Sequence, residues 1–217
     1  MKSKNLKIYY SEFFGTFVLL FTIVGSGIMG QKLSDNEAIT LLANAISIGL
    51  ILFVLISSLR NISGAHFNPS VTLTLILLKK IKPHTGITFI ILQIIGACCG
   101  VIFANIIFDL EPIQMANKIR SGANIFISEI FATFGLLLII LINSKKNDIA
   151  MGSIVGAYIT SAIWFTSSTS FANPSVSIAR VFSDTFTGIH IINVPMFIIA
   201  QLIAVGIAIV VFNKFFR

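Results

Sequence analysis

Charge is what this chain has least of. Only 11% of its 217 residues are charged, and 8 of them are acidic. A soluble domain of this length needs far more polar surface, so a water-dissolved globule is excluded. Cysteine is nearly absent, with two adjacent residues, Cys98 and Cys99. That excludes a disulfide framework and a cysteine-based zinc site, and reads as small packing residues in a helix interface. There is a single Trp beside 20 Phe. Among the scarce polar residues we find no metal-ligand cluster, no nucleophile–base pair and no nucleotide loop. An enzyme is therefore not expected, and neither is a metal or other cofactor.

Apolar sequence is abundant. Hydrophobic residues make up 56% of the chain and the mean hydropathy is +0.96. Six runs reach the roughly 20 residues needed to cross a bilayer. They are Ile8–Gly30, Ile39–Leu59, Gly86–Ile107, Ala123–Ile142, Ile149–Thr166 and Val194–Val211. The first run follows Lys2, Lys4 and Lys7 but is too long for a signal peptide and contains Glu12, so it reads as a permanent span. Two further stretches, Asn68–Leu78 and Asn173–Phe182, are about half the required length.

The net charge of +7 does not imply nucleic acid, because the basic residues sit in short segments between apolar runs. With both termini inside, Lys2, Lys4, Lys7, Arg60, Lys79, Lys80, Lys82, Lys145, Lys146, Lys214 and Arg217 fall on the cytoplasmic side. Lys32, Lys118, Arg120 and Arg180 fall outside. This bias predicts a multi-pass protein of the cell membrane with cytoplasmic termini.

The chain repeats one plan. Ser11-Glu12-Phe13-Phe14-Gly15-Thr16-Phe17 returns as Ser128-Glu129-Ile130-Phe131-Ala132-Thr133-Phe134, and Asn68-Pro69-Ser70-Val71 as Asn173-Pro174-Ser175-Val176. Gln93 is matched by Gln201. Three crossings per copy oblige the second copy, about 119–217, to enter from the face opposite to the first, about 1–112. The expectation is one membrane domain, 1–217, built as an inverted repeat.

Each short stretch opens with Asn, a strong N-cap, and Pro, which suits the first helical turn. The pattern predicts two half-helices whose N-termini meet at mid-membrane, with positive dipole ends converging and two Asn amides aimed into a lumen. A solute oxygen there would accept two hydrogen bonds, which breaks a proton-conducting water chain. Glu12 and Glu129 are buried carboxylates. The structural reading is that each braces the loop entering its own half-helix; the other reading is a proton relay. Gly96 and Gly100 form a small-residue packing face.

Ser63-Gly64-Ala65-His66-Phe67-Asn68-Pro69-Ser70-Val71-Thr72 closely resembles the first signature of the aquaporins, the major intrinsic proteins, and Glu12–Phe17 resembles the start of their first helix. The resemblance covers essentially the whole chain. It implies an all-α integral membrane fold of six transmembrane helices plus two re-entrant half-helices. It also implies a homotetramer in the lipid bilayer with one pore per subunit. By the same resemblance His66 lines the cytoplasmic vestibule; by itself it could equally be a packed histidine.

The departures bear on selectivity. The Ala of each Asn-Pro-Ala motif is Ser70 or Ser175 here, and the filter Arg that follows the second motif is Val176. Counting from the two Asn residues, the remaining filter positions are Ile48, Ser161 and Ser170, where water-selective members carry a large aromatic at the first and a His at the second. The implied filter is wider and less charged. Arg180, four residues after Val176, either hangs over the mouth or lies on the surface and pairs with Asp184. Residues 171–180 with Ser183-Asp184-Thr185-Phe186 resemble a bacterial, aquaglyceroporin-like branch lacking that Arg and linked with arsenic resistance. The expected activity is passive passage of water and small uncharged solutes, such as glycerol-like polyols or arsenous acid. A water-selective channel is the alternative, and a proton-coupled secondary transporter is a third.

Overall fold

The computed structural model describes residues 2–217 and side chains from residue 6 onward, so the side chains of Lys2 and Lys4 lie outside the description. Its eight α-helices are α1 (Lys2–Leu33), α2 (Glu37–Ser63), α3 (Pro69–Leu77), α4 (Pro83–Ile107), α5 (Ala123–Ile142), α6 (Asp148–Phe165), α7 (Pro174–Ala179) and α8 (Val194–Phe215). Six of them are long and apolar enough to span a membrane. The other two, α3 with 9 residues and α7 with 6, reach only roughly 14 and 9 Å at the helical rise. This is an all-α membrane protein with six spans and two short helices between them. Six crossings return the chain to the face where it began, called here the terminal face.

Local chemistry starts and stops these helices. Asn36 caps α2, its Oδ1 accepting from the Ala38 N–H at 2.9 Å, and Asn147 caps α6 by accepting from Ala150 at 2.8 Å. Pro occupies the first turn of α3, α4, α7 and α8. Gly64 ends α2 at φ 96°, a left-handed cap that costs glycine little.

The order long, long, short, long occurs twice, and the packing follows it. α1 packs on α4 as α5 packs on α8, while α2 packs on α6 at the seam between halves. Small residues make the contacts close. A Cβ at Gly96 would fall on the Phe13 carbonyl oxygen, and one at Gly100 on that of Phe17, so α1 and α4 meet backbone to backbone. Gly49 and Gly156 do the same across the α2–α6 seam. Large apolar side chains point outward, among them Leu50 at 61%, Phe131 at 66% and Val210 at 65% exposure. An outer surface that apolar is matched to lipid, not water. Cys98 is half-buried and packs at the core edge, but Cys99 is exposed on that outer surface. The expectation that both cysteines fill a helix interface therefore holds for the first and fails for the second, since adjacent helical residues diverge by about 100°.

The two buried glutamates differ in how fully they are engaged. Glu12 accepts four hydrogen bonds: Oε1 from Ser63 Oγ at 2.6 Å and the His66 N–H at 3.0 Å, Oε2 from the Phe67 N–H at 2.8 Å and Gln93 Nε2 at 2.7 Å. Glu129 accepts on Oε1 from the Ala172 N–H at 2.6 Å and Gln201 Nε2 at 2.7 Å, and its Oε2 has no partner among the described residues. Replacing Glu12 by Ala orphans two backbone N–H groups, each worth about 1–3 kcal/mol. Glu12→Ala is therefore expected to lower the melting temperature in detergent more than Glu129→Ala; the reverse order would mean that these bonds do not carry the loop. Gly100→Val should destabilise the protein by at least ~1–3 kcal/mol through overpacking against α1, read as reduced recovery of folded protein.

Candidate functional site

The site grows from the two Asn-Pro turns. Asn68 Oδ1 accepts from the Ser70 N–H at 2.8 Å and Asn173 Oδ1 from the Ser175 N–H at 2.9 Å, so each Asn caps its own short helix. Each side-chain Nδ2 then reaches across the seam. Asn68 donates to the Ala172 carbonyl at 2.7 Å, and Asn173 donates to the Phe67 carbonyl at 2.8 Å. An Asn amide carries two hydrogens. One ties the halves together and the other is left for the lumen.

The loops leading into the caps are strained in matching places. Ala65 and Phe67 before Asn68, and Ser170 and Ala172 before Asn173, have φ of 48–50°. Such a conformation costs a non-glycine residue about 1–2 kcal/mol and persists only where neighbours hold it. Glu12 holds the first loop through His66 and Phe67, and Glu129 holds the second through Ala172. Gln93 braces Glu12 and donates to Thr72 Oγ1 at 2.9 Å; Gln201 braces Glu129 and donates to Ser177 Oγ at 3.0 Å.

A cavity of about 400 Å³ passes between the two Asn residues. Ala65, His66, Ile56 and Ile140 line its end toward the terminal face, and Glu37, Lys118, Arg120 and Phe186 line the opposite end. Asn68 and Asn173 are each 5% exposed, both toward this space. The walls between are apolar, with Leu19, Ile23, Leu52, Leu136 and Val155 among them. His66 is held at the terminal-face end by Nδ1 against Thr72 Oγ1 at 3.0 Å and packs edge-on to Phe89.

Ile48, Ser170 and Val176 line the cavity, and the buried Ser170 Oγ has no partner among the described residues. Pro69, Ser70, Pro174 and Ser175 are buried in the half-helix turns, and the hydroxyls of both serines are unpartnered among the described residues. Ser161 is a correction. It is exposed on the outer side of α6, and its hydroxyl donates back to the Ala157 carbonyl at 2.9 Å. Ile159 and Ile163, two residues to either side, face the cavity instead. Counting through the 166–172 loop carried a helical phase error, and two residues on a helix rotate a side chain by about 200°.

The opposite mouth holds Arg180 together with Lys118 and Arg120, which the sequence marked only as basic loop positions. Arg180 is 7% exposed and lines the cavity. Its Nε donates to the Thr187 carbonyl, and its guanidinium carbon lies 3.7 Å from the Phe171 ring centroid. It does not pair with Asp184, whose carboxylate accepts from Asn117 N and Nδ2, each at 2.9 Å. Arg120 comes within 5.3 Å of the same ring and donates to the Gly188 carbonyl at 2.9 Å. Lys118 donates to the Phe186 carbonyl at 3.1 Å. Burial pushes the Arg120 guanidinium down to about 10, and burial together with Arg120 lowers Lys118. At about 10, Arg120 remains cationic at neutral pH. The segment carrying them is stitched to the second half by Ala116 N–H to the Val181 carbonyl at 2.9 Å and His190 N–H to the Lys118 carbonyl at 2.8 Å. In sequence these residues are merely basic loop positions, with no periodicity to mark them.

This geometry has relatives. The family model for "Major intrinsic protein" matches residues 1–172. The chain is 44% identical over 193 residues to the aquaglyceroporin AqpS of Rhizobium meliloti, covering 89% of this chain and 83% of that one. It is 32% identical to a probable aquaporin, TIP2-2, of Oryza sativa subsp. japonica, covering 94% and 85%. An X-ray structure of the aquaglyceroporin from Plasmodium falciparum superposes with a TM-score of 0.71 at 23% identity, covering 98% of this chain and 95% of that one, which bears on the fold alone. Six spans, two Asn-capped short helices meeting across one continuous cavity, and these similarities together make the chain a member of the major intrinsic protein family, whose members are non-catalytic channels.

Proposed function

We propose that the protein passes water and small uncharged polyhydroxyl solutes, glycerol-like polyols or arsenous acid, and excludes protons and ions. The observation that carries this reading is the composition of the cavity wall around Val176. Val176 stands where a cationic fork would otherwise reach into the lumen, and Ile48, Ile159 and Ile163 supply apolar wall. Ser170 lies beside them, its hydroxyl oxygen buried and unpartnered among the described residues. A polyol has one face of C–H groups and one of hydroxyls; the first suits the isoleucine and valine side, the second the Asn amides.

Proton exclusion follows from the waist. Each Asn keeps one N–H for an oxygen in the lumen, and two half-helix N-termini point there, so a passing water is oriented as a double acceptor and cations are disfavoured. Passive rather than proton-coupled movement is favoured by where the acids lie. Among the described residues the cavity lining contains one carboxylate, Glu37 at the mouth, while Glu12 and Glu129 are turned into the loops. The excess of Lys and Arg on the terminal face supports cytoplasmic termini and a cell-membrane location. A homotetramer belongs to the same proposal and is checked by light scattering in detergent.

Vesicle shrinkage after reconstitution is the test. Glycerol and arsenous acid should permeate without a proton gradient, and a vesicle that admits water alone would refute the wide-pore reading. Val176→Arg is expected to cut glycerol flux at least tenfold, a barrier increase of about 1.4 kcal/mol, while water flux falls much less. Equal loss of both would remove position 176 from the filter. Ile163→Phe should reduce glycerol flux, whereas Ser161→Phe should leave it nearly unchanged; the opposite result would restore Ser161 to the lining.

A further inference from the structure

The opposite mouth concentrates positive charge against a single lining carboxylate among the described residues, Glu37. Lys118, Arg120 and Arg180 all line it, and two of them share the face of Phe171. Among the described residues the one ion pair is Arg60–Asp148, far along the sequence near the α5–α6 turn. Asp184 is engaged by Asn117, Glu129 accepts from Ala172 and Gln201, and Glu37 at the rim is exposed. The partners of the three cations are neutral: the carbonyls of Phe186, Thr187 and Gly188 and the Thr169 hydroxyl. Carbonyl dipoles orient a cation but leave its charge uncompensated, and burial makes that costly.

Arg180 is the least satisfied of the three. Only its Nε has a hydrogen-bond partner among the described residues, and the little exposure it keeps is toward the cavity it lines. A guanidinium with both terminal nitrogens free presents two parallel N–H donors, the fork that a flat oxyanion fits. Lys118 stands at the same mouth as a point charge. We infer that this mouth is a binding site for a small monovalent oxyanion, seated on the free edge of Arg180 with Lys118 and Arg120 around it. The anion stops there. Beyond it the wall is Val176, Ile48 and Ile163, and stripping an anion of water against such a wall costs several kcal/mol. Because the site occupies the entrance, its occupant obstructs uncharged solutes; this consequence rests on the proposed passage of solutes through the same cavity.

Nitrate is the probe, since it is flat, monovalent and has no neutral form near pH 7. Glycerol shrinkage is measured in proteoliposomes with potassium nitrate replacing potassium gluconate at constant ionic strength and osmolarity. Wild-type flux is expected to fall about fivefold, with half-inhibition at roughly 10 mM, as suits a solvent-reached site. In detergent, nitrate should raise the melting temperature where gluconate does not. Arg180→Gln should abolish the nitrate-to-gluconate ratio in both readouts, whatever its own basal flux. If that variant does not fold, Lys118→Gln carries the comparison, with half-inhibition shifted upward several-fold. Equal flux and equal melting in the two salts would overturn the inference, and so would entry of nitrate into the vesicles. Absence of glycerol flux in gluconate would instead defeat the proposed function, and the melting shift alone would then decide the anion site.

Discussion

Two chain segments stop halfway across an apolar slab, and everything else in the structure answers the need to satisfy their backbones there. Water is not available in hydrocarbon, so each bare N–H or C=O costs several kcal/mol. The response is reciprocal. Asn68 and Asn173 each cap their own helix and donate to a carbonyl of the other half, which makes one contact serve both helix termination and the joining of the repeats. Carboxylates behind the loops take the N–H groups that the left-handed turns leave over. What remains unspent, one amide hydrogen on each Asn, faces the cavity. The group that lines the cavity is thus the remainder of a structural network.

The halves are alike in plan and unequal in detail. The first loop is held by a carboxylate with four donors and the second by one with two. The second half compensates with tertiary cover. The 113–121 segment lies over α7 and its following turn, held by backbone bonds to Val181 and Phe182, and it brings Lys118 and Arg120 to the mouth. Lys118, Arg120 and Arg180 all stand at the rim of the cavity. One helical turn from Val176, the Arg180 guanidinium adds its charge to the field at that rim.

Much of this was legible in the chain. Hydropathy marked six spans, because a bilayer demands runs of fixed length. The doubled Asn-Pro motif placed two half-helices, since capping and proline chemistry act within a few residues. The buried Glu12 and Glu129 drew attention because carboxylates are costly in hydrocarbon. Ser161 failed for a definite reason: a filter residue on α6 is specified by helix rotation relative to α2 and the loops, and counting residues through 166–172 does not carry that phase. Arg180 was left between the mouth and Asp184, and Asn117, 67 residues away in sequence, decided it by taking the carboxylate.

The sequence by itself determined the number of crossings, the two half-length helices and the residues that cap and brace them, because those depend on local propensity and on the cost of burying polar groups. Only the tertiary structure decided which side chains face the passage and that a loop from between the repeats closes over its mouth. Those depend on helix phase and long-range contact, which no local pattern encodes.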